Sequence, residues 1–130
     1  MSQKVVITDS APQAIGPYSQ AIAAGPFLYV SGQIPLRPES MQLVEGGIEQ
    51  QAHRVFQNII AIAEAADTTL AACIKLNISM TDLSGFDNVN NVMTQYFKEP
   101  YPARACVGVA ALPKDALIEV ESVFYLALQY

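Results

Sequence analysis

Apolar and polar positions change period several times along this chain, and each change marks an element. Residues 4–8 (KVVIT) are a short apolar-rich run that predicts a strand. Two prolines and Gly16 make residues 9–17 a loop. The apolar runs 21–24 and 27–31 flank Gly25-Pro26 and predict a hairpin. Residues 35–46 hold Pro35, Pro38, Gly46 and several polar side chains, which predicts an exposed loop. From residue 48 the period turns helical. Apolar side chains at 48, 52, 55, 56, 59, 60, 62, 63 and 66 form a stripe. Residues 70–80 start apolar and then alternate, placing Ile74, Leu76, Ile78 and Met80 on one face of a strand. Ser84 is placed to N-cap a second helix, with Asp87 in the position of a capping-box acid. Phe86, Val89, Met93, Tyr96 and Phe97 form the core stripe of that helix, and Pro100 and Pro102 end it. Two last strands are predicted at 103–109 and 117–127.

The resulting order, β-ββ-α-β-α-ββ, predicts a single α+β domain spanning residues 1–130. A six-stranded, mostly antiparallel or mixed sheet carries two helices on one face. The last two strands are close in sequence, so an antiparallel hairpin is expected between them. Each carries a charge where a buried strand is usually apolar, Arg104 in the first and Glu119 in the second. Desolvating an ion costs several kcal/mol unless it is paired or bound, so the two charges are read as the floor of a small-molecule site. Arg104, Cys106 and Gly108 share one side of their strand; Ala105, Val107 and Val109 share the other. The apolar side is expected to meet the helices, leaving Arg104 to point away from them.

Composition sharpens the expected partners. Apolar residues make up 52% and charged residues 15%, against a usual charged share of about 25%. So little charge leaves apolar surface that a second subunit can bury, and a homo-oligomer is expected over a monomer with a richer core. Net charge is −5 and the seven basic residues never cluster, which disfavours a nucleic-acid partner. The opening MSQKVVITDS lacks the apolar run of a signal peptide, and no stretch suits a bilayer span. Cys73 and Cys106 form no CxxC or metal spacing. A cytosolic protein without a membrane partner is therefore expected.

Familiar catalytic templates are absent: there is no GxGxxG, no P-loop and no HExxH. The single histidine, His53, lies on the first helix with no nucleophile indicated beside it, so it reads as a plain helix residue. One histidine and two scattered cysteines make a poor zinc set. Cys106 follows Arg104 by two residues, and a neighbouring cation favours a thiolate, but no activating base is evident. A small pocket-shaping residue is the simpler reading. Arg104 alone is equally compatible with a structural ion pair to Glu119 or Glu121, and Tyr18 alone with core or pocket wall.

Four stretches decide between these readings: AIGPYSQAI (14–22), YVSGQIP (29–35), FDNVN (86–90) and PARACVGVAALPKDALIEV (102–120). In order and spacing the chain resembles the reactive-intermediate deaminase family, RidA or YjgF, over residues 10–126. That resemblance implies a trimer in which three sheets face inward as a barrel, with a cleft between each pair of subunits. It implies hydrolysis of 2-imino acids and their enamine tautomers, such as 2-aminoacrylate, 2-iminopropanoate and 2-iminobutanoate, to 2-oxo acids and ammonia. No metal and no cofactor are implied. Carried over by position, Arg104 grips the substrate carboxylate and Glu119 holds the attacking water. Tyr18 packs on the ligand, Gly32 and Cys106 offer backbone N–H groups, Ser31 lies beside the first, and Asn90 reaches in from the second helix.

The chain departs from the family pattern at three places. Val120 replaces a larger apolar residue, Ser40-Met41 stands where Thr-Gly is usual, and the chain ends apolar at Tyr130 where many members end basic. Two other functions remain to be weighed: an endoribonuclease or translation inhibitor, and a non-catalytic small-carboxylate binder that regulates a partner.

Overall fold

The computed structural model describes residues 3–126. Its elements are β1 (Gln3–Val6), β2 (Ala21–Ala24), β3 (Phe27–Gln33), α1 (Ile48–Ala65), β4 (Cys73–Met80), α2 (Phe86–Tyr96), β5 (Ala103–Gly108) and β6 (Ile118–Tyr125). The strands form one sheet in the order β1-β2-β3-β6-β4-β5. All pairs are antiparallel except β4–β5, which is parallel. The mixed six-stranded sheet with two helices agrees with the order read from the sequence. Residue 127, the last of the predicted final strand, and Tyr130 lie outside the described residues.

Both helices cover one face of the sheet. The α1 stripe buries Ala52, Val55, Phe56, Ile59, Ile62 and Ala63 against Leu28, Leu76, Ile78, Val120 and Phe124. Fully burying one such large aliphatic or aromatic side chain contributes about 1.5–3 kcal/mol, so these two layers dominate the fold's stability. Two polar residues interrupt the stripe and are also buried, Gln51 and Asn58. Each holds a loop. Gln51 Oε1 accepts from the Leu117 N–H at 2.8 Å, and Asn58 Nδ2 donates to the Leu36 carbonyl at 3.0 Å. Asn58→Ala should cost about 1–3 kcal/mol in a denaturant titration, because the Leu36 carbonyl loses its buried donor.

Two expectations about the last strands are overturned. β5 and β6 are not a hairpin, because β4 lies between them. After α2 the chain returns beside β4 as a parallel crossover. It then arches over the end of β4: the Val109 N–H donates to the Met80 carbonyl at 2.8 Å, and the Thr81 N–H to the Leu117 carbonyl at 3.2 Å. Lys114 and Asp115, both at positive φ (57° and 59°), turn the link.

Nor does Arg104 point away from the helices. It stands opposite Leu76 in the ladder, Cys106 opposite Ile78 and Gly108 opposite Met80, all on the helix side. Ala105 and Val107 face the uncovered side, where Val107 is 51% exposed. β5 is the edge strand, and at the rim the helical cover runs out, so a charge on the helix side still reaches water.

Smaller corrections have local causes. A register shift between Cys73 and Lys75 turns Ile74 outward and Cys73 inward. A 3-10 turn, Leu83–Gly85, precedes α2, whose N-cap is Gly85 and not Ser84. The capping acceptor is Asp82, whose carboxylate takes the Ser84 N–H at 2.9 Å. Met41 does adopt φ 59°, the left-handed conformation usually given to glycine. Left-handed backbone costs a residue bearing Cβ about 1–2 kcal/mol. Met41→Gly should therefore raise the unfolding free energy from a denaturant titration by up to about 1 kcal/mol after glycine's extra chain entropy is subtracted.

Candidate active site

The predicted site residues fall into two groups on opposite faces of the sheet. The first gathers where β3 meets β6 on the uncovered side. A β-bulge lies between Val30 and Gln33, so Ser31 and Gly32 together oppose one residue of β6. Gly32 is what lets the Glu119 carboxyl lie against the strand. A Cβ there would come within 2.8 Å of Glu119 Cδ and 3.1 Å of Oε2. A cavity of about 500 Å3 opens above, lined by Tyr18, Ser31, Gly32, Lys114, Glu119 and Glu121 among others. Tyr18 is folded over its own loop, its hydroxyl accepting from the Ile15 N–H at 3.1 Å. The Ser31 hydroxyl donates to the Ser19 carbonyl at 2.5 Å, which leaves its oxygen as an acceptor.

The electrostatics of this half suit a base. Burial, and next the neighbouring Glu121, raise the pKa of Glu119 above the ordinary carboxylate value. Glu121 is itself held from the next strand, its Oε1 accepting from Asn77 Nδ2 at 2.8 Å. Sequence reasoning gave Asn77 no role and weighed Glu121 only as an ion-pair partner of Arg104; the period of two that puts Glu121 beside Glu119 was the available signal.

The second group gathers around Arg104 on the helix side, at the β5 edge. Three residues one turn apart on α2 grip the guanidinium. Phe86 lies beneath it at 5.0 Å, Asn90 Oδ1 accepts from Nη1 at 2.5 Å, and Met93 Sδ is 3.4 Å from the same nitrogen. Asn90 thus spends its oxygen on the arginine. A cavity of about 400 Å3 adjoins, lined by Asn90, Met93, Thr94, Tyr101, Pro102 and Arg104. Cys106 lies two residues further along, its Sγ 3.7 Å from Met80 Sδ. Burial raises its thiol pKa and Arg104 only partly opposes this, so it is held as a neutral thiol.

Arg104 and Glu119 are therefore not brought together within one chain. Among the described residues no three of His, Cys, Asp and Glu gather as a metal cluster. No helix there is long and apolar enough to cross a membrane.

Comparison with known proteins places these halves in a family. The family model described as "Endoribonuclease L-PSP" matches residues 8–125. A RutC family protein of Pyrococcus abyssi is 46% identical over 96% of this chain and 98% of its own length. The human protein named 2-iminobutanoate/2-iminopropanoate deaminase is 43% identical, over 93% of this chain and 88% of its own. Among solved structures, RidA of a Psychrobacter species superposes with a TM-score of 0.91 at 50% identity, over 94% of this chain and 98% of that one. Escherichia coli TdcF, solved with bound serine, superposes at 0.89 with 38% identity, over the same shares of each chain. The chain belongs to the RidA/YjgF family, the family that the endoribonuclease L-PSP model describes.

Proposed function

We propose that this protein hydrolyses 2-imino acids and their enamine tautomers to 2-oxo acids and ammonia, in clefts formed between subunits of a trimer. The observation that carries the reading is the division of charge. A carboxylate with raised pKa lies in one open cavity and an arginine held by α2 in another, on opposite sheet faces. Each cavity supplies half of what an imino acid needs. The uncovered face bears Val5, Tyr29 and Val107, each 51% exposed, and a subunit contact there buries them. Such a contact sets the Arg104 edge of one subunit beside the Glu119 cavity of the next.

In that cleft Arg104 takes the substrate carboxylate through the guanidinium nitrogens that Asn90 leaves free. Water attacks the imine carbon, and Glu119 takes the proton it releases and passes it to the imine nitrogen. The resulting carbinolamine holds both OH and NH2 on one carbon. Glu119 then takes the hydroxyl proton as the carbonyl of the 2-oxo acid forms and delivers it to the nitrogen, so the C–N bond breaks and ammonia leaves. A carboxylate whose pKa is raised is a stronger base and carries that proton more readily near neutral pH. Proton transfer of this kind contributes about 10²–10⁴-fold, enough for a bond that water already cleaves slowly.

The base form of Glu119 is lost as pH falls through its raised pKa. The acid limb of kcat/KM should thus lie above the usual glutamate value of about 4.3. Glu121→Gln removes the like charge and should move that limb to lower pH. The direct test of function mixes the protein with an imine-generating dehydratase and its amino acid and follows loss of free imine. Acceleration by the purified protein supports the reading. Absence of acceleration, with tight 2-oxo acid binding, would favour a non-catalytic binder. Steeply salt-dependent RNA cleavage by the same preparation would favour the endoribonuclease reading, against which the dispersed basic residues and net charge of −5 weigh.

A further inference from the structure

A second charged recess lies on α1, separate from both halves of the proposed cleft. A cavity of about 370 Å3 opens between α1 and the 35–46 loop, lined by Arg37, Glu39, Gln50, His53, Arg54 and Gln57. Its size falls in the roughly 300–1,000 Å3 range of small-molecule sites. Arg54 is positioned from behind. Asn58, fully buried, accepts from Arg54 Nε at 3.0 Å and is itself fixed by its donation to the Leu36 carbonyl. The terminal nitrogens of Arg54 meet no acceptor among the described residues. His53 is also held, its Nδ1 bonded to the Tyr96 hydroxyl of α2 at 2.7 Å. Burial lowers the Arg54 pKa, Glu39 and then Tyr96 oppose this, and Arg37 adds to the lowering. Three charges therefore line one recess, two positive and one negative, with Arg54 half-buried and Arg37 and Glu39 exposed.

We propose that this recess binds a small α-amino acid as its zwitterion, with the carboxylate on Arg54 and Arg37 and the ammonium on Glu39. A guanidinium locked at Nε presents its terminal pair as a ready fork for a carboxylate. Glu39 selects the ligand. Phosphate or a dicarboxylate would bring further negative charge against it, and a 2-oxo acid would leave it unmatched. An amino acid answers all three charges within a short span. The site shares no residue with the imine-hydrolysing cleft and does not depend on that activity.

The test is amide NMR on the full chain carrying Arg104→Ala, which removes the carboxylate grip of the cleft. L-alanine, pyruvate and inorganic phosphate are titrated separately. Expected is a saturable shift of amides in 37–44 and 50–57 with L-alanine, at least about tenfold tighter than with pyruvate or phosphate. Arg54→Gln should weaken alanine at least about tenfold, and Arg37→Gln serves the same purpose should that variant fold poorly. Glu39→Gln should erase the preference for alanine over pyruvate. No shift at these amides with L-alanine, or pyruvate or phosphate binding as tightly, overturns the proposal.

Discussion

Replacing Arg104 with alanine is expected to lower kcat/KM for imine hydrolysis about a hundredfold or more. Two hydrogen bonds to a charged group at about 1.5 kcal/mol each sum to roughly 3 kcal/mol, or about two decades in rate. The fold should be unaffected, since the side chain is exposed and its polar and ring contacts, among the described residues, are with Phe86, Asn90 and Met93. The measurement is steady-state kinetics on dehydratase-generated imine, with circular dichroism as the control for folding. Arg104→Lys should recover part of the loss, because a point charge attracts the carboxylate but does not present two parallel donors. An Arg104→Ala protein as fast as wild type would remove the arginine from the mechanism.

Gly32→Ala is expected to have an effect of similar size for a different reason. The added methyl would overlap the Glu119 carboxyl at 2.8 Å, and the carboxyl is the free end of a flexible side chain. The strand can therefore keep its place while the carboxylate moves. A displacement of about 1 Å of a reacting group costs about a hundredfold. Thermal stability should change by less than about 1 kcal/mol, since no buried apolar contact is lost. A matching fall in stability and activity would instead mean that the strand itself had shifted. Glu119→Gln provides the reference for full loss of the base, expected at about 10²–10⁴-fold.

Much of the fold was legible in the chain. The α1 stripe appears as predicted at Ala52, Val55, Phe56, Ile59, Ile62 and Ala63, because a helix with one buried face writes its period into the sequence. The Gly25-Pro26 hairpin follows from local turn chemistry, as β2 and β3 pair around it. Which strand lies beside which is not local. β5 follows α2 and joins β4 in parallel, and nothing within residues 103–125 distinguishes that from a hairpin with β6. The face of Arg104 was misread because alternation was judged by polarity. On an edge strand the helix-side position is solvated, while apolar Val107 sits on the uncovered side. Gln51 and Asn58 looked like gaps in the stripe, since the loop carbonyl and N–H groups they satisfy are 22 and 66 residues away.

The candidate site was legible as a set of residues and not as a geometry. Tyr18, Ser31, Gly32 and Glu119 do meet around one cavity, and Asn90 does meet Arg104. Their separation onto two faces depends on β4 lying between β5 and β6. That separation turns the expected single floor, with both charges on neighbouring strands, into two halves.

Mixing Arg104→Ala and Glu119→Gln subunits tests this division most directly. Each variant alone should be nearly inactive. Co-refolded in equal amounts, they should regain about a quarter of the wild-type rate, because in a random trimer one cleft in four takes Glu119 from one variant and Arg104 from the other. A mixture as inactive as its components would contradict the account, since it would mean that both groups must act from the same chain.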